Sequence, residues 1–350
     1  MSNTNIENST RDAWLRTTVK EVFLRLAFVA MLMEHRRVTF KGGKTVTKTI
    51  VSDDLESLAQ SYTSNEGLTG GSKTILAKPK FYWKKFQLPV EYGVDEELEN
   101  HGAPDDVAPV DLIETLTTVA HKSARMKLNS MIFGDNGGAA TDTPAASADF
   151  QGVIAALDHS ITYGTRTRST TQATGSLWQS VSTGDIWTDQ DAAMAASIGN
   201  LRIHVAKCRR YRPPNAKLYV ICGEAIFQQF QSQIEARHFY SREGKAGSLA
   251  KYGFNTFEID NVEFVQESYL STLGSTNAHN TSYYPATWFF IIDPETWELR
   301  FHPARAMKMT GFTWQGDQVG GQDKWLARIM AAGNLVCWQP NANCFKSNVS

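Results

Sequence analysis

The chain has 350 residues, of which 42% are hydrophobic and 20% charged, and its formal net charge is -1. That length supports one large domain or two ordinary ones around a sizeable core. A near-neutral chain with scattered basic residues excludes a protein built to grip nucleic acid through its own field, because such affinity comes from neutralised phosphates.

Residues 1–10 are polar and read as a loose tip. A helix is expected from Arg11 to Arg36, since Leu15, Val19, Val22, Leu26, Val29 and Met33 recur at helical spacing. It either packs on its own domain or lies as an arm on a neighbour. Its most apolar part, Val22 to Met33, is too short to span a membrane and contains Arg25. The same arginine makes it a poor secretory signal.

Val38 to Ile50 reads as a hairpin turning at Gly42-Gly43, where a tight turn needs positive φ. Asp53 and Glu56 have capping-box spacing for a short helix. Strand resumes at Lys80 to Trp83 and Phe86 to Tyr92, with Pro79 and Pro89 marking edges. Two antiparallel limbs of roughly 20 to 25 residues would reach about 70 to 80 Å at the strand rise. An exposed two-stranded ribbon of that kind is marginal in water and invites pairing with another chain.

Pro109 opens a long helix ending at Phe133, with the stripe Ile113, Leu116, Ala120, Ala124, Leu128 and Met131. Two small-residue loops, 134–149 and 164–184, bury little. A second long helix starts at Thr188, with the stripe Met194, Ile198, Leu201, Val205 and Cys208. The basic cluster Lys207, Arg209, Arg210 and Arg212 closes that helix and suits its negative end. Strands are expected at Leu218 to Cys222, Val262 to Gln266, Ala286 to Ile292, Trp297 to Phe301, Arg305 to Thr313 and Lys324 to Trp338, with a helix at Glu224 to Ala236. The order reads as α+β.

Motifs for chemistry are few. Gly67 to Thr74 nearly matches a phosphate loop, but Ser72 stands where glycine is needed, no apolar strand precedes it and Pro79 cuts short the helix that should come after it. The cysteines, Cys208, Cys222, Cys337 and Cys344, form no CxxC pair, and four thiols suit a reducing compartment. Histidines such as His35, His121, His204 and His302 form no metal-binding spacing, and the acidic run Asp95, Glu96, Glu97 and Glu99 lacks the alternation of a calcium loop. No catalytic, cofactor or metal residue is assigned.

The order of elements resembles the tailed-bacteriophage major capsid family of the Hong Kong 97 type, a fold shared with encapsulin shells. The resemblance rests on the ribbon from Lys44 to Tyr92, on Phe86-Gln-Leu-Pro-Val-Glu-Tyr-Gly-Val-Asp95 ahead of a helix closing at Phe133-Gly134-Asp135, and on the run Leu326 to Pro340. It implies an N-terminal arm (1–37), an extended E-loop (38–92), a peripheral domain (93–150 and 295–338) with a spine helix at 109–133, and an axial domain (151–294 and 339–350). It also implies a non-enzymatic homo-oligomer, pentamers and hexamers in an icosahedral virion shell assembled in the host cytoplasm around double-stranded DNA. A portal, a decoration protein and a separate scaffolding protein are the further partners, since the first helix begins within about a dozen residues. On this reading the inter-subunit contacts include Phe40, Val46, Ile50, Tyr62, Leu68, Ile75, Phe81 and Trp83 of the ribbon, and Leu15, Val22 and Leu26 of the first helix. The same fold allows an encapsulin-like compartment with enzyme cargo. A nucleotide-binding enzyme using Gly67 to Thr74 is the remaining alternative.

Overall fold

The computed structural model describes residues 26–51, 58–62, 74–95, 112–134, 149–157, 162–166, 198–210, 216–237, 254–267, 289–316 and 322–346, together with Leu55, Gly70, Gly71, Ser72, Trp178, Arg212, Pro213, Leu249 and Leu270. Helix α1 (Ala27–Glu34) leads into β1 (Val38–Phe40). Four short strands come next, β2 (Val46–Thr47), β3 (Ile50–Val51), β4 (Leu76–Ala77) and β5 (Lys80–Phe81), then the longer β6 (Lys84–Gly93). Helices α2 (Leu112–Phe133), α3 (Val153–Leu157) and α4 (Ile198–Arg209) precede β7 (Leu218–Cys222) and α5 (Glu224–Arg237). The chain finishes in strand: β8 (Thr256–Ile259), β9 (Val262–Gln266), β10 (Phe289–Ile292), β11 (Trp297–Phe301), β12 (Lys308–Met309), β13 (Thr313–Trp314), β14 (Lys324–Cys337) and β15 (Cys344–Lys346).

Two larger sheets carry the architecture, which is α+β. The first is centred on β14. Its whole run from Lys324 to Gly333 pairs antiparallel with β6, while β11, β12 and β13 pair in succession along the other side. Among the described residues β6 has no second partner. Pro89, which cannot donate to a ladder, is therefore tolerated inside it, as edge strands allow. The second sheet runs β15-β10-β7-β9-β8, with β7 and β9 parallel. Its central strand β7 is buried along its whole length, as its unbroken apolar sequence foretells.

The sheets share one core. The buried residues of α1 run unbroken from Ala27 to Leu32. Phe28 makes edge contacts with Phe133 at 5.9 Å and Trp297 at 5.6 Å, and Phe133 meets Phe290 of the second sheet at 5.6 Å. The described part of the expected first helix thus packs on its own domain, so Leu26 is a core residue of its own chain. Leu15 and Val22 lie outside the described residues. A second cluster fills the space between α4, α5 and the five-stranded sheet, where Leu201, Val205, Phe227 and Phe230 are buried.

Helix α2, with 22 residues, is about 33 Å long. Its buried stripe is Ala120, Ala124, Leu128 and Met131, and Leu116 is partly buried. Ile113, expected in that stripe, lies in the first turn and is exposed. The start of this helix at Pro109 and that of the next at Thr188 lie outside the described residues.

Two local expectations are corrected. Val38 to Ile50 is not a hairpin: β1 pairs parallel with β11, and the Lys41 amide donates to Phe301 O. Gly43 does adopt a positive φ of 134°, yet it turns the chain out of this sheet into a different pairing. The single strand expected from Arg305 to Thr313 is broken by a 3₁₀ turn at Pro303–Arg305 and by Met307 at φ 56°, leaving only β12 and β13.

Candidate assembly surface

The segment between β1 and β6 folds back on itself. Val46 faces Phe81, Thr47 faces Lys80, Ile50 faces Ala77 and Val51 faces Leu76 in one continuous antiparallel register. Among the described residues the paired part spans six residues per limb, about 20 Å. Val51 and Leu76 open onto the 24 residues between them, of which the structure describes only a part.

Strand periodicity gives this ribbon two faces. Val46, Ala77 and Phe81 are buried in their own chain. Phe81 stacks edge-on to Tyr163 at 5.0 Å and Trp338 at 5.8 Å. The Tyr163 backbone oxygen accepts from Trp178 Nε1, and its hydroxyl accepts from the Cys337 amide. Gly164 sits at φ 59° with Pro79 and Phe81 so close that an added Cβ would lie 2.8 Å from each. Its carbonyl accepts from the Lys80 amide. The inner face is thereby pinned to the domain.

The outer face is left open. Val51 is 52% exposed and Leu76 56%, and beyond the paired residues Leu55, Leu58 and Tyr62, the last at 67%, are exposed too. Phe40, beside the foot, is also exposed while stacking on Phe301. Ile50, Ile75 and Trp83 are half-buried. Leu68 lies outside the described residues. The outer side of α2 adds Val119 and Met126, seven residues apart and so on one helical face.

The foot is held by hydrogen bonds. Trp83 Nε1 donates to Gly43 O at 2.7 Å, and Asn334 Nδ2 donates to Tyr82 O at 2.9 Å. Asn334 is fully buried, and its Oδ1 accepts from the amides of Gln151 and Leu335. Lining the foot is a cleft of about 520 Å³ bounded by Gly43, Lys44, Trp83, Lys85, His302 and Arg305.

A network of charged groups ties β1 and β11 together beneath the ribbon. Burial pushes the Glu298 carboxyl up, but hydrogen bonds from Arg300, Thr39 and Trp338 outweigh it and hold its pKa below the ordinary value. Asp293 caps the 3₁₀ turn at Pro294–Thr296 and pairs with Arg212; burial raises its pKa against the pull of that arginine. Arg212 is thus tied to the core, while Arg209 donates to Asp260 O. The four cysteines are buried, and burial drives the Cys222 and Cys344 thiols far above their ordinary pKa, so neither of these two is poised as a nucleophile.

Half of the phosphate-loop-like segment Gly67 to Thr74 lies outside the described residues. The chain continues from it into strand β4 of the ribbon, where a phosphate loop requires a helix. Among the described residues no cluster of His, Cys, Asp or Glu has the arrangement of a metal site, and no helix is long and apolar enough to cross a membrane. The sequence signal for the open surface was the weakly apolar ribbon between glycine-rich turns; Val119 and Met126 carried none, being hidden in an ordinary amphipathic helix.

No family model and no curated protein matches this sequence. Solved structures do. The cyanophage A-1(L) capsid asymmetric unit is similar at a TM-score of 0.59 and 13% identity, over 89% of this chain and 90% of that one. The holo-SrpI encapsulin complex from Synechococcus elongatus PCC 7942 is similar at 0.50 and 8%, over 91% and 88%. The likeness extends over about nine-tenths of both chains, and the chain has the Hong Kong 97-type capsid fold.

Proposed function

We propose that this chain is the major capsid protein of a tailed bacteriophage, a structural subunit and not an enzyme. The observation that carries the reading is the ribbon: pinned on one face by Phe81 and Tyr163, it offers exposed Val51, Leu76 and Tyr62 on a fold otherwise found in closed shells. Apolar side chains gathered on a projecting element mark a surface that another protein covers. Interfaces of such obligate assemblies bury on the order of 2,000 to 5,000 Å² in total. Pentamers and hexamers of the chain form an icosahedral shell around double-stranded DNA. Assembly takes place in the host cytoplasm with a separate scaffolding protein, and a portal and a decoration protein complete the particle. The near-neutral charge fits a container that holds DNA by enclosure. In this arrangement β2 to β5 form the E-loop, the β14-centred sheet with α1 and α2 the peripheral domain, and the five-stranded sheet the axial domain.

An encapsulin-like compartment is the second reading, favoured by the likeness to the encapsulin complex. Negative-stain electron microscopy of the purified chain, alone and co-expressed with the neighbouring genes, tests both. Shells with DNA support the capsid, shells with a co-purifying enzyme support the compartment, and a monomer under every condition removes both. The ribbon's part is tested by replacing Val51 to Leu76 with Asn-Gly, which joins Ile50 to Ala77 through a two-residue turn. This spares the buried Val46 and Phe81. The variant should fold with a melting temperature close to the parent's and form no shells.

A further inference from the structure

Three stretches of chain that are distant in sequence meet at the foot of the ribbon, and each is held by its own hydrogen bond. The turn after β1 passes through Gly43 at a φ of 134°, and Trp83 Nε1 donates to Gly43 O at 2.7 Å. The entry to β6 is tied by Asn334 Nδ2, which donates to Tyr82 O at 2.9 Å. The 3₁₀ turn at Pro303–Arg305 is capped by His302, whose Nδ1 accepts from the Ala304 amide at 3.2 Å, and the His302 amide donates to Ala332 O at 2.8 Å. The cleft of about 520 Å³ lies between these walls. Small-molecule sites occupy about 300 to 1,000 Å³. Walls fixed in advance also lessen the ordering that binding has to offset.

The cleft combines two kinds of surface. Lys44, Lys85 and Arg305 bring three positive charges to it, and no Asp or Glu lines it. All three are exposed, and none has a carboxylate partner among the described residues. Elsewhere the chain pairs its cations, as in Lys127 with Asp149, Arg202 with Asp260 and Lys324 with Glu91. Beside the cations stand the rings of Trp83 and His302, which meet edge to face at 5.7 Å and 85°. Such a contact occupies one face of one ring and leaves other faces for a flat partner. Since His302 Nδ1 accepts from Ala304, Nε2 carries the proton of the neutral ring and is a donor.

We infer that the foot cleft binds a nucleoside di- or triphosphate, its phosphates on Lys44, Lys85 and Arg305 and its base against the Trp83 and His302 rings. Linked phosphates match three cations gathered in one concave site, where like charges reinforce each other's attraction for an anion. A flat base covers ring surface that an inorganic phosphate would leave in water. Duplex DNA is the weaker match, because its bases are stacked inside the helix and only its backbone could reach the rim. The assignment is binding without turnover, since no carboxylate stands in the cleft as a general base. The site is separate from the phosphate-loop-like segment, which leads into the other end of the ribbon at Leu76. All of its residues belong to one chain, so it does not depend on the shell reading.

The test is a titration of the full chain with ATP in magnesium-free, low-salt buffer, read by isothermal calorimetry. Adenosine, inorganic tripolyphosphate and a short DNA duplex are titrated beside it. ATP should bind, and each of the other three should bind at least about tenfold more weakly. A variant carrying Lys44→Gln, Lys85→Gln and Arg305→Gln, all at exposed positions, should keep the parent's melting temperature and lose about tenfold or more in ATP affinity. A control carrying Lys78→Gln and Lys80→Gln, exposed on the ribbon but outside the cleft, should stay within about twofold of the parent. A wild type that binds no ATP overturns the inference. So does an equal loss in the control, which would mean a diffuse charge effect, or tripolyphosphate or duplex binding as tightly as ATP, which would mean that the cleft reads charge alone. Each of these outcomes leaves the proposed function standing, because shell formation is read separately by microscopy.

Discussion

The five-stranded sheet and the ribbon are built from the same kind of pairing and reach opposite ends. In β7, Leu218, Val220 and Cys222 are buried against α4 and α5 and Tyr219 and Ile221 in the core shared by the two sheets, so every apolar side chain is covered within the chain. In the ribbon only one face is covered. Phe81 and Val46 are enclosed, while Val51 and Leu76, five residues further out on each limb, remain in water. A two-stranded element without a covering layer is marginal by itself, so the ribbon is stabilised at its foot and leaves its outer face for another chain. Side chains on its two faces should therefore fail in different assays.

The largest expected effect sharpens that contrast. Phe81→Ala removes a fully buried ring touching Tyr163 and Trp338 and should cost about 3 to 5 kcal/mol of stability, read as a lowered denaturant midpoint. Tyr62→Ser, at a position 67% exposed, should change stability by less than about 0.5 kcal/mol yet reduce shell yield. Equal loss of stability in both would mean that the two faces are not different in kind.

Next in size is Gly164→Ala. A Cβ there would lie 2.8 Å from both Pro79 and Phe81, at a φ of 59° that L side chains rarely adopt. Crowding and strain together should cost about 1 to 3 kcal/mol. Gly70 offers the control, since a Cβ there meets nothing within 4 Å. Gly70→Ala should leave thermal unfolding unchanged.

Much of the closed part was legible in the sequence, and most of the open part was not. Strands β7, β9 and β11 fall on the residues that the apolar runs and the Asp293-Pro294 turn mark out, because a buried strand writes its limits locally. The stripe of α2 was visible for the same reason, except at Ile113. The pairing of β1 with β11 was not visible. It joins residues some 260 positions apart, and Gly42-Gly43 offered a nearer partner. Nor could the sequence show the buried polar brackets. Asn334 and Asn343 look like loop residues, yet the Asn343 side chain accepts from Asp293 N and Trp297 Nε1 and donates to Thr296 Oγ1.

The smallest expected effect concerns pH and the junction between the two sheets. Burial lowers the pKa of His35, whose Nε2 lies 3.1 Å from the Tyr219 hydroxyl on β7 while its Nδ1 faces Glu295 at 3.5 Å. Burial likewise lowers His121 on α2. A histidine with a depressed folded pKa binds more protons unfolded than folded once the pH falls below about 6.5. Its contribution is fully present above that value and is lost as the pH falls through the folded pKa. Glu298, also depressed, acts in the same sense below its ordinary carboxylate range, whereas Asp293, raised by burial, acts in the opposite sense. Between pH 7 and pH 5 the two histidines lower stability as the pH falls, since the charges on Glu34 and Asp293 only partly offset the desolvation of His35. Chemical denaturation should show stability falling over that interval, and His35→Gln should flatten the slope. A slope of the same steepness in the variant would locate the proton uptake elsewhere and leave the contact between β7 and the β1–β11 edge indifferent to pH.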